Sequence, residues 1–260
     1  MTAARQRPMW QVGLALSFGL ALVLIFTALG VWQVERLGWK RDLIARVEAR
    51  VNAAPVPLAA IRDMAPADQE YRRVSVAGVF DHDAETLVQA LTELGGGYWV
   101  LTPLRMADGR TVLINRGFVP QNRRRPDTRA EGQVKGTVAV TGLARLSEPG
   151  GTFLRANAPA ADRWYSRDLA AIAAKRGLGP VEPVFIDTDA TPQPGGFPVG
   201  GLTVLRFRNA HLSYALTWFA LAALAAGGVW LLIQTARRTA RSADAKSGLR
   251  ADGRGRGRDG

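Results

Sequence analysis

Few side chains in this sequence could carry chemistry. It holds two histidines, His82 and His211, and no cysteine. The missing thiols exclude a CxxCH haem attachment, a thiol copper site, a CxxC redox pair, a Cys-ligated zinc site and any structural disulfide. A hydrolase needs a nucleophile beside a base, yet the histidines lie far apart and the many carboxylates stand in no recognisable catalytic setting. No enzymatic activity is expected. Gly95-Gly96-Gly97 lacks the Lys and the following helix of a phosphate-cradling loop. His82, between Asp81 and Asp83, reads as an exposed loop residue. His211 differs, because it lies inside an apolar stretch and is followed by Tyr214, Ala215, Trp218, Ala222 and Ala225 at i+3, i+4, i+7, i+11 and i+14. Aromatic and small side chains therefore share its helix face. Ionisable groups in such stretches mark functional sites by default. The residues alone favour the other reading, a polar group that caps the helix or hydrogen-bonds across to a second one.

Two elements must position His211. Residues 8–34 and 209–236 carry no Asp, Glu, Lys or Arg, and each exceeds the roughly 20 residues that cross about 30 Å of hydrocarbon. The sequence predicts transmembrane helices over 9–34 and 209–236. A cleaved signal peptide is the rival for the first, but the run is longer than an h-region of about 7–15 residues and lacks an A-x-A exit. No Arg- and Ser-rich presequence precedes it, as expected of a bacterial chain, although a processed organellar protein could look similar. Trp32, Arg36, Trp39, Leu43 and Val47 recur at helical spacing with no Pro before Pro55, so a helical stalk is expected over 35–50. Gly13, Ser17 and Ala21 on the first span, and Ala222 and Ala226 on the second, form small-xxx-small faces that would let two helices touch; abundant alanine explains them equally well. Trp32, Trp39 and Trp230 read as interfacial belt residues.

Between the spans, residues 35–208 have ordinary polarity and the size of one domain. Alternation at Val74, Val76 and Val79 and over 87–91 and 98–104 predicts strands. Asp108-Gly109 makes 98–105 and 111–118 a hairpin. Further strands are expected at 135–144 and 184–186, a Pro- and Gly-rich loop at 191–201, and one short helix over 168–176, with Asp168 at its start and Gly177 after it. The expected fold class is therefore an α+β membrane protein, with two transmembrane helices at the chain ends flanking one β-rich extracytoplasmic domain that has a short helix.

The net charge of +12 does not indicate nucleic acid, because the basic residues are scattered through the domain and concentrated beyond the second span. Residues 237–260 carry eight Lys and Arg against three Asp, a composition expected to stay disordered and to sit against an anionic inner leaflet. With Arg5 and Arg7 in residues 1–8, this tail places both termini in the cytoplasm and the domain outside, against the opposing pull of Arg36, Lys40 and Arg41.

Six motifs in order carry a resemblance. They are Leu29-Gly30-x-Trp32-Gln33-x-x-Arg36, Gly97-Tyr98-x-Val100-x-Thr102-Pro103-Leu104, Asn115-Arg116-Gly117-Phe118-Val119-Pro120, Trp164-Tyr165-x-Arg167-Asp168, Pro198-Val199-Gly200-Gly201 and Asn209-x-His211-Leu212-x-Tyr214-Ala215-x-Thr217-Trp218. Over most of its length the chain resembles the surfeit locus 1 family of cytochrome c oxidase assembly proteins. It departs mildly from the family pattern at Phe118, usually Trp, and at Ala210, often Asn.

The resemblance implies an assembly factor of the bacterial inner membrane, with a periplasmic domain, that binds haem a and helps it reach subunit I of a haem-copper oxidase. Haem a synthase and other assembly factors would be partners, beside the lipid bilayer. Bacterial relatives are thought to bind haem a through a His in the second span, and the matching residue is His211, as ligand to the iron. A haem needs an axial ligand, an apolar slot and cations for its propionates. Tyr214, Trp218, Ala222 and Ala225 suit the slot, and Arg206, Arg208, Arg36 and Lys40 suit the propionates. The alternative is a haem-free scaffold that docks oxidase subunits. Arg116 is expected to pair with a carboxylate such as Asp168; a sharper reading makes Arg116 and Tyr98 a partner-docking pair.

Overall fold

The computed structural model describes residues 9–152, 155–203 and 209–255. In chain order the elements are α1 (Met9–Asn52), β1 (Val56–Pro57), α2 (Pro66–Gln69), β2 (Arg73–Phe80), β3 (Thr86–Thr92), β4 (Gly95–Met106), β5 (Thr111–Pro120), β6 (Thr137–Leu146), β7 (Gly151–Thr152), β8 (Arg155–Ala156), α3 (Leu169–Arg176), β9 (Val181–Thr188) and α4 (His211–Gly255). The chain divides into two compact units, Met1–Leu43 with Phe207–Gly260, and Ile44–Arg206. Arg208, Arg206 and residues 1–8 lie outside the described residues.

In the first unit, α1 and α4 are each long and apolar enough to cross a membrane by length and composition. Leu14, Phe18 and Leu24 of α1 are 61%, 66% and 64% exposed. The contacts Gly19 with Val229, Gly30 with Phe219 and Phe26 with Trp218 run in opposite directions along the two helices, which therefore pack antiparallel. Gly30, Gln33 and Leu37 of α1 and Ala215 and Ala222 of α4 are buried. Gly13, Ser17, Ala21 and Ala226 are exposed, so of the five residues of the small-xxx-small faces only Ala222 is buried. Small side chains occur on several faces of each helix, and contact goes to the face where aromatic rings can fill the room that glycine leaves.

Two features of these helices extend beyond the apolar runs. α1 continues to Asn52, as the helical spacing of Trp32 to Val47 predicts. α4 continues to Gly255, through the basic segment for which composition predicts disorder. Ala and Arg are strong helix formers and no Pro interrupts them, so local propensity there favours helix.

The second unit is built on a seven-stranded sheet, ordered β1-β2-β6-β9-β5-β4-β3, in which β2 also pairs with β4 through Gly78 to Phe80 and Leu104 to Met106. That pairing closes β2, β6, β9, β5 and β4 into a small barrel. β5 and β9 run parallel and the other neighbours in the ring are antiparallel. Alternation along each strand splits the core. Val74, Leu104, Val112, Ile114, Val140 and Ile186 pack with Leu58 and Ile61 in one cluster, while Leu101, Leu113 and Phe185 pack with Trp164, Leu169 and Ile172 in another.

α3 forms where the sequence places it. Asp168 caps it by accepting from the Ala171 N–H at 3.1 Å, and Gly177 ends it at φ 62°. Its buried Leu169 and Ile172 cover the sheet over Phe185. The predicted strands are all present, and the β4–β5 hairpin turns at Asp108-Gly109, where φ of Gly109 is 80°.

Candidate functional site

His211 is the first residue of α4 and is partly buried. Its Nδ1 lies 2.8 Å from Oε1 of Gln33 on α1. Gln33 is 8% exposed. An amide oxygen only accepts, so Nδ1 carries the hydrogen and donates it to Gln33. In the neutral ring Nε2 then holds the lone pair, and Nε2 makes none of the hydrogen bonds found among the described residues.

The surroundings are aromatic, with part of them already committed to packing. The Trp218 indole stacks on Phe26, with ring centroids 5.7 Å apart and planes at 27°. A Cβ on Gly30 would stand 2.6 Å from the Phe219 ring, so the helices touch there. The flat slot that the sequence suggests between the helices is filled at this level by Phe26, Trp218 and Phe219. Tyr214 is 56% exposed and stands outside the seam. The Arg36 guanidinium lies 4.7 Å from the Trp39 ring centroid, one helical turn beyond Gln33. The structure thus brings His211 and Trp218 to the seam and leaves Tyr214 and Arg36 exposed. Gln33 is the residue that sequence reasoning passed over, although it stands inside a quoted motif. The signal was available, because a glutamine at the end of an apolar run needs a partner if it faces another helix.

The residues present fit a haem in chemistry: an imidazole held through Nδ1 by Gln33, an exposed aromatic ring on its helix, and a guanidinium on the neighbouring helix. A flat ring would approach from outside the pair.

Three of the sequence motifs meet elsewhere, in the barrel unit. Asp187 on β9 is 4% exposed and accepts from Asn115 Nδ2 at 2.7 Å, Arg145 Nη1 at 3.1 Å, Thr203 Oγ1 at 3.1 Å and Arg167 Nη1 at 3.4 Å. Burial alone would lower the Arg167 guanidinium, but its hydrogen bonds to Glu148 and the charges of Asp187 and Glu148 hold it above its ordinary value. Phe118 and Val199 exchange backbone hydrogen bonds at 2.8 and 2.9 Å. Gly117 makes this possible, since at φ 125° a Cβ would stand 2.2 Å from the Val199 oxygen. A cleft of about 240 Å³ lies beside this cluster. Its charges answer one another, and the arrangement fastens the segment before α4 to β5.

A second cleft, of about 360 Å³, is lined by Tyr98, Leu87, Gln89, Arg124 and Trp164 among others. Arg124 stacks over Tyr98 with 5.2 Å to the ring centroid, while the acids at its edge, Glu85 and Asp162, pair with Arg129 and Arg176. Arg116 overturns two expectations. It is 1% exposed, so it docks nothing, and it makes no ion pair with Asp168, which caps α3 and accepts from the Gly150 N–H instead. Arg116 donates to the Gly132 carbonyl and packs 4.8 Å over the Phe80 ring.

Comparison with known proteins adds the remaining information. Residues 20–223 match the SURF1 family. The chain is 42% identical to human Surfeit locus protein 1 over 212 residues, covering 75% of this chain and 69% of the relative. It is 41% identical to the rat protein of that name over 211 residues, covering 75% and 68%. A SURF1-like protein of Monosiga brevicollis is 39% identical over 249 residues, covering 89% of this chain and 90% of the relative. The matched segment contains Gln33, Arg36, Asp187, His211, Tyr214 and Trp218.

Proposed function

This chain belongs to the SURF1 family, and from that premise we propose that it is a membrane-anchored assembly factor for haem-copper cytochrome c oxidase, which binds haem a through His211 and assists its insertion into subunit I. The observation that carries the reading is the hydrogen bond of His211 Nδ1 to Gln33, which leaves the lone pair on Nε2, an atom with no hydrogen-bond partner among the described residues. Bound haem a would supply an iron that takes an imidazole nitrogen as ligand. His211 Nε2 would be that ligand, Tyr214 would give the macrocycle an aromatic contact, and Arg36 would neutralise a propionate, with Arg208 as its counterpart outside the described residues. Trp218 supports the seam from within.

The first unit supports membrane anchoring. Helices that expose Leu14, Phe18, Leu24, Leu224 and Leu231 at 57% or more are unfavourable in water and suited to lipid. Trp10 and Trp32, both exposed, stand about 33 Å apart along an ideal helix, the separation of two interfacial belts.

The test is the visible spectrum of the full chain purified after co-expression with haem a synthase. The wild type is expected to carry a haem a spectrum and His211→Ala to lose it. A colourless wild type under those conditions would overturn the ligand role. The second reading, a haem-free scaffold for oxidase subunits, draws on the same hydrogen bond as a purely structural link between helices. It predicts that haem-free protein still co-purifies with subunit I, and that His211→Ala still supports oxidase maturation.

A further inference from the structure

We infer that Gln33 is the positioning residue of the His211 site: it selects the imidazole tautomer that presents Nε2 as a ligand nitrogen. The inference rests on the haem reading above only for the identity of the ligand, since the hydrogen bond stands on its own.

Three observations lead to it. Gln33 is almost wholly buried in a helix face otherwise made of Gly30 and Leu37, and an amide is costly there unless it is bonded. Its acceptor oxygen is 2.8 Å from His211 Nδ1, a good hydrogen-bond distance. The register that places them opposite each other is fixed from below by the Phe26–Trp218 stack and by Gly30 against Phe219. Metal-binding histidines in general hand their second ring N–H to an acceptor, which orients the ring and settles the tautomer. A free imidazole favours hydrogen on Nε2, the arrangement that blocks ligation through that atom. Gln33 reverses this preference at a site where two helices meet.

The experiment uses the full chain in detergent micelles with two readouts. The first needs no haem: ¹⁵N chemical shifts of the His211 ring report which nitrogen carries the hydrogen at a pH where the ring is neutral. Wild type should show hydrogen on Nδ1, Gln33→Leu should shift the ring toward hydrogen on Nε2, and Gln33→Glu, which keeps an acceptor oxygen, should retain the wild-type pattern. The second readout is haem a affinity and spectrum after co-expression with haem a synthase. Gln33→Leu should weaken binding by about 10- to 100-fold, the range typical of lost outer-shell partners, and alter the axial-ligand signature, while Gln33→Glu should resemble wild type. Wild-type protein with hydrogen on Nε2, or Gln33→Leu with unchanged shifts, overturns the inference. So does haem binding by Gln33→Leu that equals wild type. A wild type that binds no haem fails the functional proposal and leaves the ring shifts to decide the role of Gln33. If Gln33→Leu does not assemble, Gln33→Glu decides, and loss of the wild-type shifts in that variant overturns the inference.

Discussion

At the scale of single residues, burial decides what each charge does. Arg116 stands between Asn115 and Gly117 in β5, and nothing in those neighbours announces that it lies inside. Burial lowers its guanidinium to about 10, with the Glu85 charge raising it and the Arg129 charge lowering it, so it remains cationic at neutral pH. Among the described residues its Nε and Nη1 have no hydrogen-bond partner. Such a group holds a loop in place through the Gly132 carbonyl and the Phe80 ring and offers nothing to a partner. His211 was legible for the opposite reason: a lone ionisable side chain in an apolar run stands out wherever it ends up. Asp162 carries a charge whose effect can be measured. Burial pushes its carboxyl up, but the Trp164 indole N–H at 2.8 Å, the Arg176 guanidinium at 2.8 Å and the Lys175 charge outweigh that, and the group titrates below the usual carboxylate range. A depressed folded value means that its contribution is present above the unfolded value of about 3.9 and is lost as pH falls through the folded one. Asp162 also adopts φ 49°, which Asn tolerates, so Asp162→Asn removes charge without backbone strain. The variant should be less stable than wild type by under about 1 kcal/mol at pH 7, as expected of a half-exposed pair. In denaturant unfolding the difference should vanish as pH falls below the carboxylate range. A gap that persists unchanged in acid would mean the charge contributes nothing.

At the scale of elements, local signals and non-local pairing part company. α3 was readable because Asp168 and Gly177 mark its ends, and the β4–β5 hairpin because Asp108-Gly109 marks its turn. Closure of the barrel through β2 and β4 has no local mark, since it joins residues 78–80 to 104–106 across another strand and a turn. The packing face of α1 was left open by the sequence for a related reason. Gly13, Ser17 and Ala21 satisfy the small-xxx-small rule as well as any face, but the choice is made by what α4 brings opposite, Phe219 and Val229. That pairing can be tested directly because the chain has no cysteine to interfere. A Cβ built on Gly19 stands 4.0 Å from the Val229 Cβ, inside the roughly 3.5–4.5 Å that a disulfide needs. The double variant Gly19→Cys with Val229→Cys should therefore cross-link under mild oxidation. Gly13→Cys with Val229→Cys should not, because Gly13 has nothing within 4 Å. After proteolytic cleavage in the barrel unit, oxidised Gly19/Val229 fragments should migrate together on a denaturing gel and separate on reduction. Cross-linking of the Gly13 pair instead would show that the helices meet on the other face. The same cross-link, made in a Gln33→Leu background, reports whether the helix pair survives loss of the His211 hydrogen bond.

At the scale of the whole molecule, the question is which side of the bilayer receives the barrel unit. Two spans with an even crossing number put both ends on one side, and the distribution of basic residues chooses the side. The segment 237–260 has eight Lys and Arg, against Arg36, Lys40 and Arg41 just beyond the first apolar run. On the membrane anchoring proposed above, the larger cationic cluster is expected on the cytoplasmic side with both termini, and the barrel unit in the periplasm. Residue 91 on β3 is 88% exposed and residue 242 on α4 is exposed, so each can host a reporter without disturbing a core. In intact spheroplasts, a membrane-impermeant maleimide should label Leu91→Cys at once and reach Ser242→Cys only after lysis. The reverse pattern would turn the molecule over and place His211, at the start of α4, at the cytoplasmic face. Labelling of both sites before lysis would mean that α4 does not cross the membrane between them. On the function proposed above, His211 must stand at the leaflet where the oxidase can take the haem, and the labelling result fixes the side from which His211 could be approached.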